Sequence, residues 1–295
     1  MIRGRSIVSD FDLKRPSVIA GYALSAAGLV AISAFMLYPM LWVVLNGFKT
    51  EPEALAFPPE LLPKAWHPEN FPEAWSSMRF PLYMWNTIVL FAGFIAVKLA
   101  VITMAAYALA VLSPPFKKGF IFYFLATLMV PGLVLMIPNY LTLQELPLFH
   151  VNLLGSNWAY WLPGAADGFG LFLLYSFFLG IPKDLFEASR IDGASEVRVY
   201  WQIMLPLTKP VIATLVIFGF TYVWKDFFWP LLILDKENWP VATAVYNAIY
   251  QTGMGRVGVN IQFAILTIIT IPPLVLFLFC QRYIIQGITF SGLKG

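Results

Sequence analysis

Six apolar stretches of at least 20 residues, at 18–45, 82–112, 120–141, 158–179, 211–234 and 261–280, dominate the sequence. Each is long enough to cross a hydrocarbon layer about 30 Å thick as a helix rising about 1.5 Å per residue. The polar remainder is too thin to coat a water-soluble globule. Charged residues make up 12% of the 295 and hydrophobic ones 59%, against roughly 25% and 45–50% in soluble domains. An all-α polytopic membrane protein with six transmembrane helices is expected. The first stretch is too long for a signal-peptide core, and Pro39 and Trp42 interrupt any approach to a cleavage site, so it reads as a retained span.

Placement of Lys and Arg gives the orientation. Twelve fall in the N-terminal tail, the second and fourth loops and the C-terminal tail, and five (Lys49, Lys64, Arg79, Lys236 and Arg256) in the loops between. The basic side of a multi-pass protein faces the cytoplasm, which puts both termini inside. The expected organisation is a cytoplasmic tail over 1–17, a membrane domain over 18–283 and a second cytoplasmic tail over 284–295. The first outer loop is acidic (Glu51, Glu53, Glu60, Glu69, Glu73) and rich in proline, which suits a short ordered cap.

Several chemistries are poorly served by these residues. A single cysteine, Cys280, excludes a disulfide framework. His67 and His150 sit in polar connecting segments and read as ordinary loop residues, so no metal site is expected. There is no Gly-x-Ser-x-Gly, no His-Glu-x-x-His and no Walker phosphate loop. An enzyme is therefore not expected, nor is nucleic acid a partner. Composition alone leaves open an ion-gradient-driven secondary transporter or channel, and a purely structural membrane subunit.

The fourth loop, 181–210, carries the most information. Pro182 opens a helix that includes Glu187-Ala188-Ser189-Arg190-Ile191. Asp192-Gly193 breaks it, because glycine tolerates the left-handed conformation of a sharp reversal. A second amphipathic segment follows from Ser195 to Leu205, with Val199, Ile203 and Tyr200 on one face, and Pro206 is expected to end it. The result is a helix–turn–helix at the membrane surface with an acidic, small-residue face towards the cytosol.

This loop resembles the EAA motif of binding-protein-dependent ABC importer permeases: Glu187-Ala188-Ser189, Gly193, Ile203 and Leu205-Pro206 match its spacing, with Ser189 replacing the second alanine. The likeness extends to Asn86-Thr87, to 105–109, to Met129-Val130-Pro131, to 169–174 and to Trp229-Pro230-Leu231, and points to the smaller permease subunit of maltose-type carbohydrate importers. Val111 and Lys225 depart from it, standing where an arginine and an asparagine are usual. The resemblance implies the ABC type I importer permease fold in a bacterial or archaeal cytoplasmic membrane. It also implies a second homologous permease subunit, two ATPase subunits (usually a homodimer) that hold ATP and Mg, and an extracytoplasmic solute-binding protein that delivers a carbohydrate. On this reading Glu187, Ala188, Ser189, Asp192, Gly193, Ala194, Leu205 and Pro206 form the ATPase-coupling segment. The outer loop 235–260, with Gly253, Gly255 and Gly258, would reach into the binding protein as a scoop.

Within the spans the charged residues are Lys98, Asp167, Lys225 and Asp226. A charge at mid-bilayer costs about 2.5–3.5 kcal/mol even on an insertion scale, so each must face protein or water. Two readings follow for Asp167, Lys225 and Asp226. They line the translocation cavity together with Tyr222 and Trp224, with Gly164, Gly168 and Gly170 as a flexible wall; or they form a buried ion pair between the fourth and fifth spans. Lys98 reads as structural or as facing a partner subunit. Trp158, Tyr160, Trp161, Trp229 and Trp239 read as interface anchors. A cation at 225 in place of a neutral amide suits an anionic substrate such as a uronate oligosaccharide or a sugar phosphate.

Overall fold

A computed structural model describes residues 15–251 and 257–292, and among these the chain is helical with only isolated β-bridges. Helix α1 spans Pro16–Asn46, opened by proline at its first position, where a missing N–H costs nothing. Helix α2 spans Phe80–Tyr107 and runs on through a π-helical turn at Ala108–Leu112. Then come α3 (Lys117–Thr127), α4 (Met136–Gln144), α5 (Trp158–Ala165), α6 (Gly168–Leu179), α7 (Asp184–Ile191) and α8 (Glu196–Val199). The chain closes with α9 (Lys209–Lys225), α10 (Phe228–Ile233), α11 (Val241–Tyr246) and α12 (Val259–Gly292).

α1, α2 and α12 are each long and apolar enough to cross a membrane unaided, and α5 with α6 qualifies as a span bent by 45°. Three of the apolar stretches are thus not single helices. The third is divided into α3 and α4, because Pro131 cannot supply the N–H that helix continuation requires. The fourth breaks at Ala166-Asp167 and the fifth at Asp226-Phe227. α12 continues past residue 280, the expected end of its span.

The chain divides into two compact units, Met1–Ala74 with Val257–Ile268, and Trp75–Arg256 with Ile269–Gly295. In the first unit, residues 19–39 of α1 are exposed throughout although almost wholly apolar, so lipid or another protein must cover them. Beyond α1 lies a polar knot. The Lys49 ammonium, 1% exposed, donates to Asn46 Oδ1 at 3.0 Å and to the Glu60 carbonyl, and sits 4.8 Å from the Trp42 ring centre. Asn70 donates to the carbonyls of Gly47 and Lys49, and the Glu51 carboxylate accepts the Val259 backbone N–H that opens α12.

In the second unit α5, α6, α9 and α11 pack on α2. Trp161 of α5 lies where a Cβ on Gly93 would come within 2.1 Å of its ring, and its indole N–H donates to the Leu90 carbonyl at 3.0 Å. Gly164 gives Phe94 the same access at 2.2 Å. Small residues at such crossings let helices approach in a setting where lipid supplies no hydrophobic drive. One buried cluster joins Ile102, Ala106 and Tyr107 of α2 to Leu171 and Leu174 of α6, Phe186 of α7, and Val199, Tyr200 and Met204. A second joins Leu90 and Phe94 to Tyr160, Val223 and Ile233.

The expected scoop loop is largely folded: α11 and a π-helical turn at Asn247–Gln251 occupy 241–251, and Val241 N–H donates to Thr87 Oγ1 at 2.9 Å. Gly253 and Gly255 lie outside the described residues, while Gly258 immediately precedes α12. Gly93→Ala should cost about 1–3 kcal/mol by overpacking against Trp161, read as a lower midpoint of thermal inactivation in detergent. Gly119→Ala, at an α3 position with open space around it, should leave the midpoint unchanged or higher. Equal midpoints for both would contradict this packing.

Candidate functional site: a breached-helix cavity and a docking segment

Two of the three helix breaks carry a carboxylate. Asp167 precedes α6 in extended conformation and accepts the Phe169 N–H at 3.1 Å. Asp226 follows α9, also extended, and accepts the Trp229 N–H at 3.3 Å. A broken helix frees backbone N–H groups that hydrocarbon cannot satisfy, and a side-chain oxygen at the N-cap (Asp167) or one residue before it (Asp226) supplies the partner.

The two caps have different second partners. Lys98 of α2 forms the ion pair with Asp167, at 2.6 Å with side chains 12% and 18% exposed. Asp226 accepts the Tyr160 hydroxyl at 2.9 Å. The pair expected between the fourth and fifth spans is therefore replaced by one between the second and fourth, and Lys98 is its cation. Among the described residues no carboxylate is paired with Lys225, whose side chain is exposed.

A cavity of about 510 Å³ opens beside the Asp226 break, within the range of small-molecule sites. Tyr222, Lys225 and Asp226 line it; Asp167 and Trp224 do not. Asp167 is held by its pairing with Lys98, and the Trp224 indole N–H is turned to the Ile269 carbonyl at 3.2 Å. Residues that sequence reasoning missed complete the wall: Phe94, Gly132, Leu133, Met136, Asn139, Tyr160 and Trp229. Phe94 stands between Tyr160 and Tyr222, with ring centres 5.7 Å from each. Of the glycines expected as a flexible wall, Gly164 lines the cavity, and Gly168 and Gly170 are close-packing positions, against the Phe124 carbonyl and the Asp167 carboxylate. Tyr160 and Trp229, read from sequence as interface anchors, belong to the cavity. A buried tyrosine hydroxyl needs a polar partner, and that need was the available signal for Tyr160.

The segment 184–208 is the second feature. α7 ends at Ile191 with Asp192 as its C-cap, Gly193 takes a left-handed φ of +78°, and the Ser195 side chain caps α8 by accepting the Arg198 N–H. The helical run continues through a π-helical turn, Tyr200–Met204, and on to Leu205–Leu207, so Pro206 lies inside the last short helix rather than ending it.

Glu187, Ala188, Asp192, Gly193 and Pro206 are exposed, Ala194 and Leu205 are half-buried, and Ser189 is buried with its hydroxyl donating to the Phe186 carbonyl at 2.8 Å. The exposed face is more apolar than expected, since Ile191 is 85% and Trp201 63% exposed. The Arg190 guanidinium, donating at 2.8 Å, and after it the Tyr107 hydroxyl hold the Glu196 carboxyl below the usual glutamate range. That contact is therefore in place at neutral pH and is lost as pH falls through the lowered value.

Comparison with known proteins gives a consistent result. Residues 99–290 match the model of the family described as binding-protein-dependent transport system inner membrane component. The diacetylchitobiose uptake system permease protein NgcG of Streptomyces coelicolor is 30% identical over 270 residues, 90% of this chain and 87% of that protein. The sn-glycerol-3-phosphate transport system permease protein UgpE of Yersinia pestis is 32% identical over 210 residues, 71% of this chain and 73% of that protein. In fold, the chain is similar to one from a bacterial ABC transporter involved in import of the acidic polysaccharide alginate, with a TM-score of 0.79 at 21% identity over 91% of this chain and 98% of that one.

Removing one partner of a buried pair strands the other charge. Lys98→Met should therefore lower stability by about 3–5 kcal/mol. The double variant Lys98→Met with Asp167→Asn should recover much of that loss, because asparagine still caps α6. Thermal inactivation in detergent checks the order, and a double variant no more stable than the single would contradict the pairing.

Proposed function

Because the chain belongs to the binding-protein-dependent transport system inner membrane component family, we propose that it is one permease subunit of an ATP-driven carbohydrate importer. It crosses the cytoplasmic membrane six times with both termini inside, α3–α4, α5–α6 and α9–α10 each serving as one broken span. A second, homologous permease subunit covers the exposed faces of α1 and of 128–137. A binding protein on the outer side delivers the sugar, and two ATPase subunits, which hold ATP and Mg, engage the 184–208 segment. The alginate transporter seen in complex with an alginate pentasaccharide-bound periplasmic protein, similar in fold at a TM-score of 0.59, supports a partner of that kind.

The observation that carries this reading is the build of the 184–208 segment. One face, with Phe186, Val199, Tyr200 and Met204, is buried in the helical core, and the other presents Glu187, Ala188 and Ile191 outward. Such an element transmits a push rather than absorbing it, because packed cores switch between discrete arrangements. Glu187 offers a carboxylate to a basic group of the ATPase as a charge-assisted contact. Ala188 permits close approach, and Gly193 sets the turn.

The cavity is the sugar path. Aromatic faces from Phe94, Tyr160, Tyr222 and Trp229 with a few polar groups, Asn139, Lys225 and Asp226, are the mixture that small-molecule sites use. Asp226 is already engaged by Tyr160 and the Trp229 N–H, and among the described residues Lys225 has no carboxylate within ion-pair distance. An acidic sugar is the substrate this favours. UgpE is named for sn-glycerol-3-phosphate and the fold neighbour for alginate, whereas NgcG is named for diacetylchitobiose, which carries no charge.

Gly193→Asp places a carboxylate on the exposed turn and strains a backbone that favours glycine. The variant should insert normally yet lose binding-protein-stimulated ATP hydrolysis and uptake by about tenfold or more; undiminished uptake would contradict the assignment. Lys225→Asn should weaken competition by a uronate oligosaccharide about tenfold, one charge-assisted hydrogen bond, while sparing neutral sugars. Uptake confined to neutral sugars in both forms would contradict the acidic substrate.

A further inference from the structure

The 184–208 segment is tied to α2 by polar contacts that docking on an ATPase does not require. The Tyr107 hydroxyl donates to Glu196 Oε2 at 2.5 Å, and Arg190 Nε donates to Glu196 Oε1 at 2.8 Å. Arg190 is on α7, Glu196 opens α8 and Tyr107 ends α2, so one carboxylate joins both halves of the helix–turn–helix to the second span. Beside it Tyr200 meets Tyr107 edge-on at 5.5 Å, and its hydroxyl shares a buried 2.7 Å hydrogen bond with Thr103 Oγ1. Each tyrosine stands at the start of a π-helical turn, Ala108–Leu112 after Tyr107 and Tyr200–Met204 from Tyr200 itself. Turns of this kind are frequent at functional sites.

The other contacts of α2 give the joint its consequence. Phe94, a cavity wall residue, lies 13 residues before Tyr107, about 20 Å along a helix. Between them Lys98 holds Asp167, the cap of α6. One unbroken helix therefore touches the docking segment at one end, the α6 break at its middle and the cavity beyond.

We propose that Glu196 is a positioning residue: the joint through which displacement of the 184–208 segment is passed to α2 and so to the cavity wall. This rests on the importer reading. The Arg190 and Glu196 side chains are 41% and 44% exposed, and ion pairs this exposed contribute little to stability. Loss of the joint should accordingly spare the fold and appear in coupling.

The test uses the whole complex in liposomes: this chain, the second permease subunit, the ATPase subunits and the binding protein, with ATP hydrolysis and sugar uptake measured in parallel. In Glu196→Ala and in Tyr107→Phe, ATP consumed per sugar imported should rise about fivefold or more, the scale of an ordinary coupling free energy, with unchanged complex yield. Glu196→Gln keeps an acceptor for Tyr107 and should fall between these and wild type. The double variant Glu196→Ala with Tyr107→Phe should be no worse than Glu196→Ala alone, because Tyr107→Phe removes only a contact that this variant already lacks. An unchanged ratio in Tyr107→Phe, which leaves the buried ring in place, would overturn the role of Glu196, as would additive effects in the double variant. Absence of ATP-dependent uptake in the wild-type complex would instead overturn the importer reading itself.

Discussion

Inside a bilayer every backbone N–H and C=O must find a protein partner, and an unbroken helix is the simple way to provide one. This chain breaks its helices within apolar stretches and places a carboxylate at two of the breaks. Asp167 and Asp226 each accept a backbone N–H of the half-helix that follows them. A bare carboxylate at that depth is itself costly, so each has a second partner, Lys98 for one and the Tyr160 hydroxyl for the other. The intramembrane charges, the bends and the cavity are consequences of one requirement.

α2 is the member against which these breaks are arranged. Gly93 admits Trp161, Phe94 fills the space left by Gly164, Lys98 reaches Asp167, and Tyr107 reaches Glu196. Its length without interruption suits it to carry motion between ends. The shorter helices around it, joined at extended residues, are suited to reorient at those joints.

The elements read most readily from sequence were those governed by local chemistry. The apolar stretches follow from hydropathy alone, and the turn at Gly193 with a second helical segment from Ser195 follows from residues a few positions apart. What escaped depends on distant residues meeting. Asp167 is 69 positions from Lys98 and Tyr160 is 66 from Asp226, and nothing in either neighbourhood announces its partner. Pro131 did signal a break, but an apolar stretch of uniform hydropathy masked it. The helical content of 241–251 was hidden by an outer loop's polar flanks, although Val241, Ala244 and Val245 form a buried face. The cavity residues Phe94, Tyr160 and Trp229 look like any other aromatic residues of a membrane span until the fold brings them together.

On the importer reading, energy enters from outside the membrane domain, through the 184–208 segment, rather than from an ion gradient through the intramembrane charges. The direct measurement is sugar uptake into liposomes holding the complete complex, with vanadate and a proton uncoupler applied in turn. Uptake abolished by vanadate and indifferent to the uncoupler is the predicted result. Uptake that survives vanadate and collapses with the proton gradient would contradict it.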